Sequence, residues 1–458
     1  MKNLCYTLIL FVTLTSFSQD ITGKWTGSLD IQGTKLNLIF NIDKTGENYT
    51  ATMDSPEQNV QGIPISTVTF QKPTLKMTIE IAGIEYNGTL NASNEIIGNF
   101  SQAGATFPLN LSKKKRKPQE PTEFNYYIEN VTFQNKKDNI SLGGTLTLPS
   151  KEGKFPVVVL ISGSGAQNRD SELLGHKSFL LIADYLTKKG IGVLRFDDRG
   201  VGESKGDRNV ATTKDFATDV SAAVEYLKTR KEINTKKIGL IGHSEGGMIA
   251  PMVAANSKDI SYIVLLAGTG IPGDELLMQQ TYLVGKAAGM SEEDLQTAST
   301  SNAKIYSIMK KEKNLEEAKK QLTAIIQASF DELPSDQKPS QPEIDSIITQ
   351  QLAVIASPWF QFFVSYDPAL ILKDVKCPVL VLNGEKDVQV PSKINTQAIK
   401  NALQKGGNKK VTVVEFPNIN HLFQECTTCT VDEYEKIEQT FSPIVLKQIS
   451  DWIAVQVK

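Results

Sequence analysis

Cysteine and histidine are scarce in this chain: 458 residues carry 4 Cys and 3 His. A zinc or iron–sulfur scaffold needs clusters of such ligands, and only Cys426-Thr-Thr-Cys429 has ligand-like spacing, with no second pair or nearby His doublet to complete four ligands. It reads as a local disulfide in a surface loop, and no metal is expected. Cys377, beside an apolar run, reads as a small buried hydrophobe. Excess charge of one sign is also missing, since 49 Lys plus Arg stand against 51 Asp plus Glu. With no global field to gather polyanions, nucleic acid is excluded as a first partner. Nor is there an apolar run of the roughly 20 residues that a spanning helix requires, so no membrane span is expected.

What remains is ordinary globular usage, 40% hydrophobic and 22% charged, in a chain long enough for two or three folded units at about 150 residues per domain. The first residues stand apart. Lys2, an apolar stretch from Leu4 to Phe17, and Ser16 and Ser18 flanking Phe17 form the n-region, h-region and small-x-small site of a signal peptide over residues 1–18. Cys5 lies too early to be a lipoprotein cysteine. Export to the periplasm or medium is the expectation, and it suits a disulfide.

Residues 20–112 read as an all-β unit. Leu36, Leu38, Phe40 and Ile42 alternate with Lys35, Asn37, Ile39 and Asn41, and similar short runs recur at Leu75–Ile81, Tyr86–Leu90 and Ile96–Phe100. A small barrel or sandwich of about six to eight strands is predicted. Gly23-Lys24-Trp25 resembles the opening of lipocalin-type barrels, with Trp25 read as core. Residues 113–123, with Lys113-Lys114-Lys115-Arg116-Lys117-Pro118 at their head, read as a solvated linker.

From 124 to 458 the pattern becomes α/β. Strands near Tyr127–Phe133 and Gly144–Leu148 precede apolar runs at Val157–Ile161, Gly192–Phe196, Ile238–Ile241, Ile263–Leu266, Val379–Leu382 and Val411–Phe416, separated by helical stretches. Such runs belong to a parallel sheet buried on both faces. Between Gly270 and Asp367 the alternation stops and the chain reads as helical, clearest at Glu316–Ala328, so residues 271 to 365 are a candidate lid.

The most informative run is Gly239-Leu240-Ile241-Gly242-His243-Ser244-Glu245-Gly246-Gly247. An apolar strand enters Gly-x-Ser-x-Gly and a helix leaves it, the setting of a nucleophile elbow, with Pro251 expected to distort that helix early. A serine hydroxyl needs a base. His243 adjoins Ser244 and should point away as a support; His176 lies far upstream; His421, just after the last strand, holds the place that the order Ser, Asp, His gives the base. Asp387, in the loop after Val379–Leu382, is the expected acid, with Glu385 and Asp374 as competitors. The oxyanion donors should be the backbone N–H groups of Glu245 and of Ser164 in Ser162-Gly163-Ser164-Gly165. A dinucleotide site is discounted because the third glycine of that fingerprint is missing, Asn168 standing in its place. Asp198 and Arg199 read as a structural ion pair. Trp359, Phe360 and Phe363, where the insertion returns to the sheet, are candidates for the substrate pocket.

With these residues in view the chain resembles the α/β-hydrolase superfamily, and more narrowly the two-domain bacterial carboxylesterases of the EstD type. The resemblance rests on Ser162-Gly163-Ser164-Gly165 with Arg169-Asp170, Gly175-His176-Lys177, Arg195-Phe196-Asp197-Asp198-Arg199-Gly200-Val201-Gly202, the elbow, Tyr366-Asp367-Pro368, Gly384-Glu385-Lys386-Asp387 and Asn420-His421-Leu422-Phe423. It departs at Ser162, where relatives usually carry His. It implies an α/β-hydrolase fold with a helical lid and hydrolysis of small short-chain carboxylic esters without metal or organic cofactor. A serine peptidase of aminopeptidase type on the same fold, and a glycan- or ligand-binding β unit with an appended hydrolase, are the alternatives.

Overall fold

The computed structural model describes residues 21–458 apart from 32–33, 47, 56–57, 59, 93, 114–117, 332 and 335–337. The leader expected at 1–18 and most of the basic run therefore lie outside the described residues. The chain divides into two compact units at Lys117 and Pro118.

The first unit is one continuous antiparallel sheet of ten strands: β1 (Gly23–Ile31), β2 (Thr34–Thr45), β3 (Asn48–Ser55), β4 (Val60–Pro64), β5 (Thr67–Gln71), β6 (Thr74–Ile79), β7 (Ile84–Leu90), β8 (Glu95–Gln102), β9 (Ala105–Pro108) and β10 (Leu111–Lys113). They run in the order β4-β3-β2-β1-β10-β8-β7-β6-β5, with β9 paired to β8. Burial alternates along β7 as period two demands, Ile84, Tyr86, Gly88 and Leu90 facing inward. Trp25 is fully buried with Phe40, Leu75 and Tyr86, and its indole N–H donates to the Ile21 carbonyl at 2.7 Å. The strand count exceeds the expected six to eight because β4, β5, β9 and β10 are only 5, 5, 4 and 3 residues long, too short for a period of two to stand out.

The second unit contains β11 (Tyr127–Asn135), β12 (Ile140–Leu148), β13 (Phe155–Ile161), the two-residue β14 (Glu172–Leu173) and β15 (His176–Lys177), α1 (Ser178–Lys188), β16 (Gly192–Phe196), α2 (Thr213–Lys228), β17 (Ile233–His243), α3 (Gly246–Asn256) and β18 (Ile260–Leu266). Five helices follow, α4 (Gly273–Ala287), α5 (Glu292–Lys311), α6 (Leu315–Asp331), α7 (Gln341–Ile355) and α8 (Pro358–Ser365), before α9 (Ala369–Leu372), β19 (Val379–Gly384), α10 (Ser392–Lys405), β20 (Val411–Phe416) and α11 (Pro443–Gln456). The eight-stranded sheet runs β11-β12-β16-β13-β17-β18-β19-β20; β11, β12 and β16 pair antiparallel, and all pairs from β16 to β20 are parallel.

Both faces are covered at the middle of this sheet, which is why strands such as β13 and β19 read as continuous apolar runs. Along β13, Val157, Val159 and Ile161 enter the core shared with α2, α3 and α10, while Val158 and Leu160 enter the core shared with α1 and α11. Helix α2 starts on a capping box between Thr212 and Asp215. Helix α3 runs unbroken through Pro251, against the expected distortion; Gly246 through Ala254 are all buried, so packing on every side holds it despite the missing N–H. The insertion α4–α8 has its own core, including Leu276, Leu277, Ile305, Phe360 and Phe363. Its two ends meet, the Gly273 N–H donating to the Tyr366 carbonyl at 2.9 Å. Among the described residues no single helix is long and apolar enough to cross a membrane.

Candidate active site

Ser244 occupies the turn from β17 to α3 with φ +54°, a left-handed conformation costly for a residue with a Cβ and tolerated where surrounding structure enforces it. Here the enforcement is crowding. A Cβ on Gly242 would fall 2.0 Å from the Gly246 carbonyl oxygen, and one on Gly246 would fall 2.3 Å from that of Ile161, so only glycine fits either position. The turn is pinned by the Ser244 N–H to the Leu266 carbonyl at 2.9 Å and by the Gly247 N–H to the Ser244 carbonyl at 2.8 Å.

The loop after β20 carries His421, whose Nδ1–H donates to Asp387 Oδ2 at 2.8 Å. Asp387, in the loop after β19, has a fully buried side chain, and its other oxygen accepts the N–H groups of Gln389 and Val390, both at 2.8 Å. The carboxylate is therefore fixed on one side by backbone and points its second oxygen at the imidazole, which leaves Nε2 of His421 as the nitrogen available to a hydroxyl. Glu385 and Asp374 are exposed.

His243 does more than point away. Its Nε2–H donates to the His421 carbonyl at 2.9 Å, and the two imidazole rings lie 4.9 Å apart. Burial, and then the neighbouring His421, push its pKa down from 6.5 to about 3. His243 is thus a neutral donor linking the elbow to the His421 loop. His176 is held elsewhere: Nδ1 lies 3.0 Å from Thr440 Oγ1, and Nε2 3.1 Å from the Tyr434 carbonyl.

The loop after β13 passes directly over the elbow; a Cβ on Gly163 would lie 3.2 Å from that of Ser244. Among the described residues no internal acceptor takes the backbone N–H of Ser164 or of Glu245. The Glu245 side chain is buried, and its Oε1 accepts from Thr213 Oγ1 at 2.7 Å and from the Trp359 indole at 2.8 Å.

Several expectations need correcting. Asp198 and Arg199 do not pair with each other: Asp198 binds Arg208 at 3.0 Å, while Arg199 binds Asp219 and Asp138, each at 2.7 Å. Adjacent residues leaving a strand point to opposite sides, so each finds its own partner. Phe360 and Phe363 are buried in the core of the insertion rather than forming an open wall, and the Trp359 indole reaches the elbow. An open groove of about 760 Å³ on the insertion is lined instead by residues such as Met278, Thr300, Ala303, Lys304 and Ile308. Cys426 and Cys429 form a disulfide. Glu433, the third potential metal ligand there, is taken up by the N–H groups of Thr427, Thr428 and Cys429. Cys377 is a half-buried thiol whose pKa burial raises to about 11. The Trp359–Glu245 bond, the His243–His421 bond and Arg208 have no signature in the sequence beyond the need of a half-buried indole or imidazole N–H for an acceptor.

A mostly parallel sheet with this strand order, a serine on the turn after β17 and a hydrogen-bonded Asp–His pair on the loops after β19 and β20 are the arrangement of the α/β-hydrolase fold. Two family models match it, Serine aminopeptidase, S33, over residues 176–328, and BAAT / Acyl-CoA thioester hydrolase C terminal over 341–428. It is 27% identical over 299 residues to Esterase EstD of Thermotoga maritima, covering 65% of this chain and 61% of that protein. It is 32% identical over 162 residues to the uncharacterized protein PA2218 of Pseudomonas aeruginosa, covering 35% and 38%. The chain thus spans less than two thirds of the length of either relative. Among solved structures, that of the Pseudomonas aeruginosa protein superposes with a TM-score of 0.47 at 19% identity, over 75% of this chain and 98% of that one.

Proposed function

We propose that the protein is an exported serine hydrolase that cleaves short-chain carboxylic esters through an acyl-enzyme. The observation that carries this reading is the 2.8 Å bond from His421 Nδ1 to the buried Asp387, which leaves Nε2 as base for the strained Ser244. Ser244 Oγ attacks the ester carbonyl while its proton passes to His421 Nε2, and the oxyanion is held by the N–H groups of Glu245 and Ser164. Collapse expels the alcohol, which takes the proton from His421. Water, deprotonated by the same nitrogen, then attacks the acyl group, and the proton returns to Ser244 as the acid leaves. No metal or organic cofactor enters this sequence. The helices of residues 271–365 act as a lid over the substrate, tied to the elbow through Trp359. The similarity to Esterase EstD supports ester cleavage.

A second reading, an aminopeptidase, draws support from the family matched at 176–328, and thioesters from the one at 341–428. All share an acyl-enzyme. A panel of p-nitrophenyl acyl esters, acyl thioesters and aminoacyl amides decides: the ester reading expects highest kcat/KM on short acyl esters, and preference for amides overturns it. The β unit as a glycan- or ligand-binding module is the remaining alternative, tested by ligand screening of the full chain against a form lacking residues 20–112. Export is supported by the leader pattern at residues 1–18, and a mature N-terminus at Gln19 would establish it.

A further inference from the structure

An oxyanion loop has a structural difficulty. The N–H groups it offers to substrate are unavailable for its own hydrogen bonds, so other groups must hold it still. Among the described residues, none of the N–H groups from Gly163 to Ala166 finds an internal acceptor. The backbone there is also pliable, with Gly165 at φ +97°. Besides a long bond from the Gln167 side-chain amide to the Ser164 carbonyl, at 3.4 Å, what fixes the loop lies at its two ends. The Ser162 hydroxyl donates to Asp198 Oδ1 at 2.6 Å, and the Gln167 N–H donates to Asp198 Oδ2 at 3.0 Å. The Asp198 N–H returns a bond to the Gln167 carbonyl at 3.1 Å. Arg208 holds the carboxylate from behind, Nη1 to Oδ2 at 3.0 Å, with both side chains largely buried.

We propose that Asp198 is the positioning residue of the oxyanion hole, clamping both ends of the 162–167 loop so that the Ser164 N–H stays aimed over Ser244, with Arg208 as the anchor of the clamp. This rests on the serine-hydrolase reading above. The geometry gives the reason for serine at position 162: a short hydroxyl fits the 2.6 Å bond to Asp198 at the first residue beyond β13. A carboxylate is required because three donors converge on it, one of them a guanidinium, and two oxygens carrying a charge can accept all three. Asparagine would set an amide NH₂ against one of those donors.

The test uses the full chain with p-nitrophenyl acetate and butyrate, active sites being counted by fluorophosphonate labelling of Ser244. Asp198→Asn should lower kcat per labelled site by on the order of 10- to 100-fold with KM little changed, because the displaced donor is used in the transition state. Inhibition by a trifluoromethyl ketone, which forms an oxyanion on Ser244, should weaken by the same factor as kcat/KM. Ser162→Ala, which leaves the Gln167 and Arg208 bonds in place, should move both quantities less but in the same direction, and Ser162→Thr should restore them. If Asp198→Asn does not fold, the Ser162 pair decides. Unchanged kcat per labelled site, or a loss confined to the fraction of chains that label, would overturn the proposal. Absence of ester turnover in the unsubstituted protein would remove the hydrolase reading along with it, whereas normal turnover with unchanged variants removes the clamp alone.

Discussion

Replacing His243 by glutamine isolates a pH dependence of folding that the elbow builds in. In the native state the imidazole stays neutral down to about pH 3, because it is enclosed beside His421 and needs its Nε2–H for the His421 carbonyl. In the unfolded chain it takes up a proton near its ordinary value of 6.5. The folded pKa is the lower one, so the unfolded state binds the extra proton, and stability present above pH 6.5 is lost progressively as pH falls toward 3. Between pH 7 and pH 5 the unfolded side chain goes from mostly neutral to almost wholly protonated while the folded one stays neutral, a loss of about 2 kcal/mol from this residue. Glutamine cannot titrate and can place an amide N–H near the same carbonyl. Urea unfolding of both proteins at the two pH values, followed by helical circular dichroism because every α-helix among the described residues lies in the second unit, measures the difference. Titrating groups that do not touch His243 cancel in the comparison. The unsubstituted protein should lose about 2 kcal/mol more than the variant on going to pH 5. Equal losses would mean that His243 is protonated in the folded protein, and the neutral-donor account of its bond to His421 would fall.

Ser244→Ala should cost at least about three orders of magnitude in ester turnover with unfolding unchanged, and a fluorophosphonate should then find no alternative residue. His421→Ala should remove most turnover, whereas His176→Ala, whose bonds go to Thr440 and Tyr434, should lower stability and spare kcat of the folded fraction; equal collapse of kcat in both would reassign the base. Phe360→Ala should destabilise by about 3 to 5 kcal/mol, as for a buried ring, and leave the acyl chain-length profile unaltered; a shift toward longer acyl groups would return Phe360 to the pocket. Trp359→Phe should cost about 1 to 3 kcal/mol by depriving the buried Glu245 carboxylate of a donor, read by thermal unfolding.

The middle of the central sheet was legible because its strands are buried on both faces, so Val157–Ile161 or Val379–Leu382 carries its location in composition alone. The elbow was legible for a steric reason: Gly242 and Gly246 stand where any side chain would collide with backbone, and that requirement is written as Gly-x-Ser-x-Gly. Asp387 and His421 followed from chain order, and the structure brings them into contact. Pairings between loops were not legible. Asp198 meets Arg208 and Arg199 meets Asp219 because of how two consecutive residues diverge from a strand end, which no spacing rule encodes. The aromatic cluster misled for a related reason. A run such as Trp359-Phe360-Gln361-Phe362-Phe363 announces burial without saying which cavity or core is filled, and on α8 the residues one turn apart turn inward while Trp359 faces the elbow.

The helical insertion leaves the sheet after β18 and comes back into β19, its immediate parallel neighbour, with entrance and exit stitched together from Gly273 to Tyr366. A segment attached this way behaves as a socketed part. The strands on either side keep their hydrogen-bond partners whatever length of chain hangs between them, so the excursion can be shortened, exchanged or redecorated without a register error in the sheet. On the reading proposed above, reactivity and selectivity are separable inheritances in this molecule: the first lives in loops that the sheet cannot move without breaking, the second in an exchangeable cover that the Trp359 indole ties to the elbow.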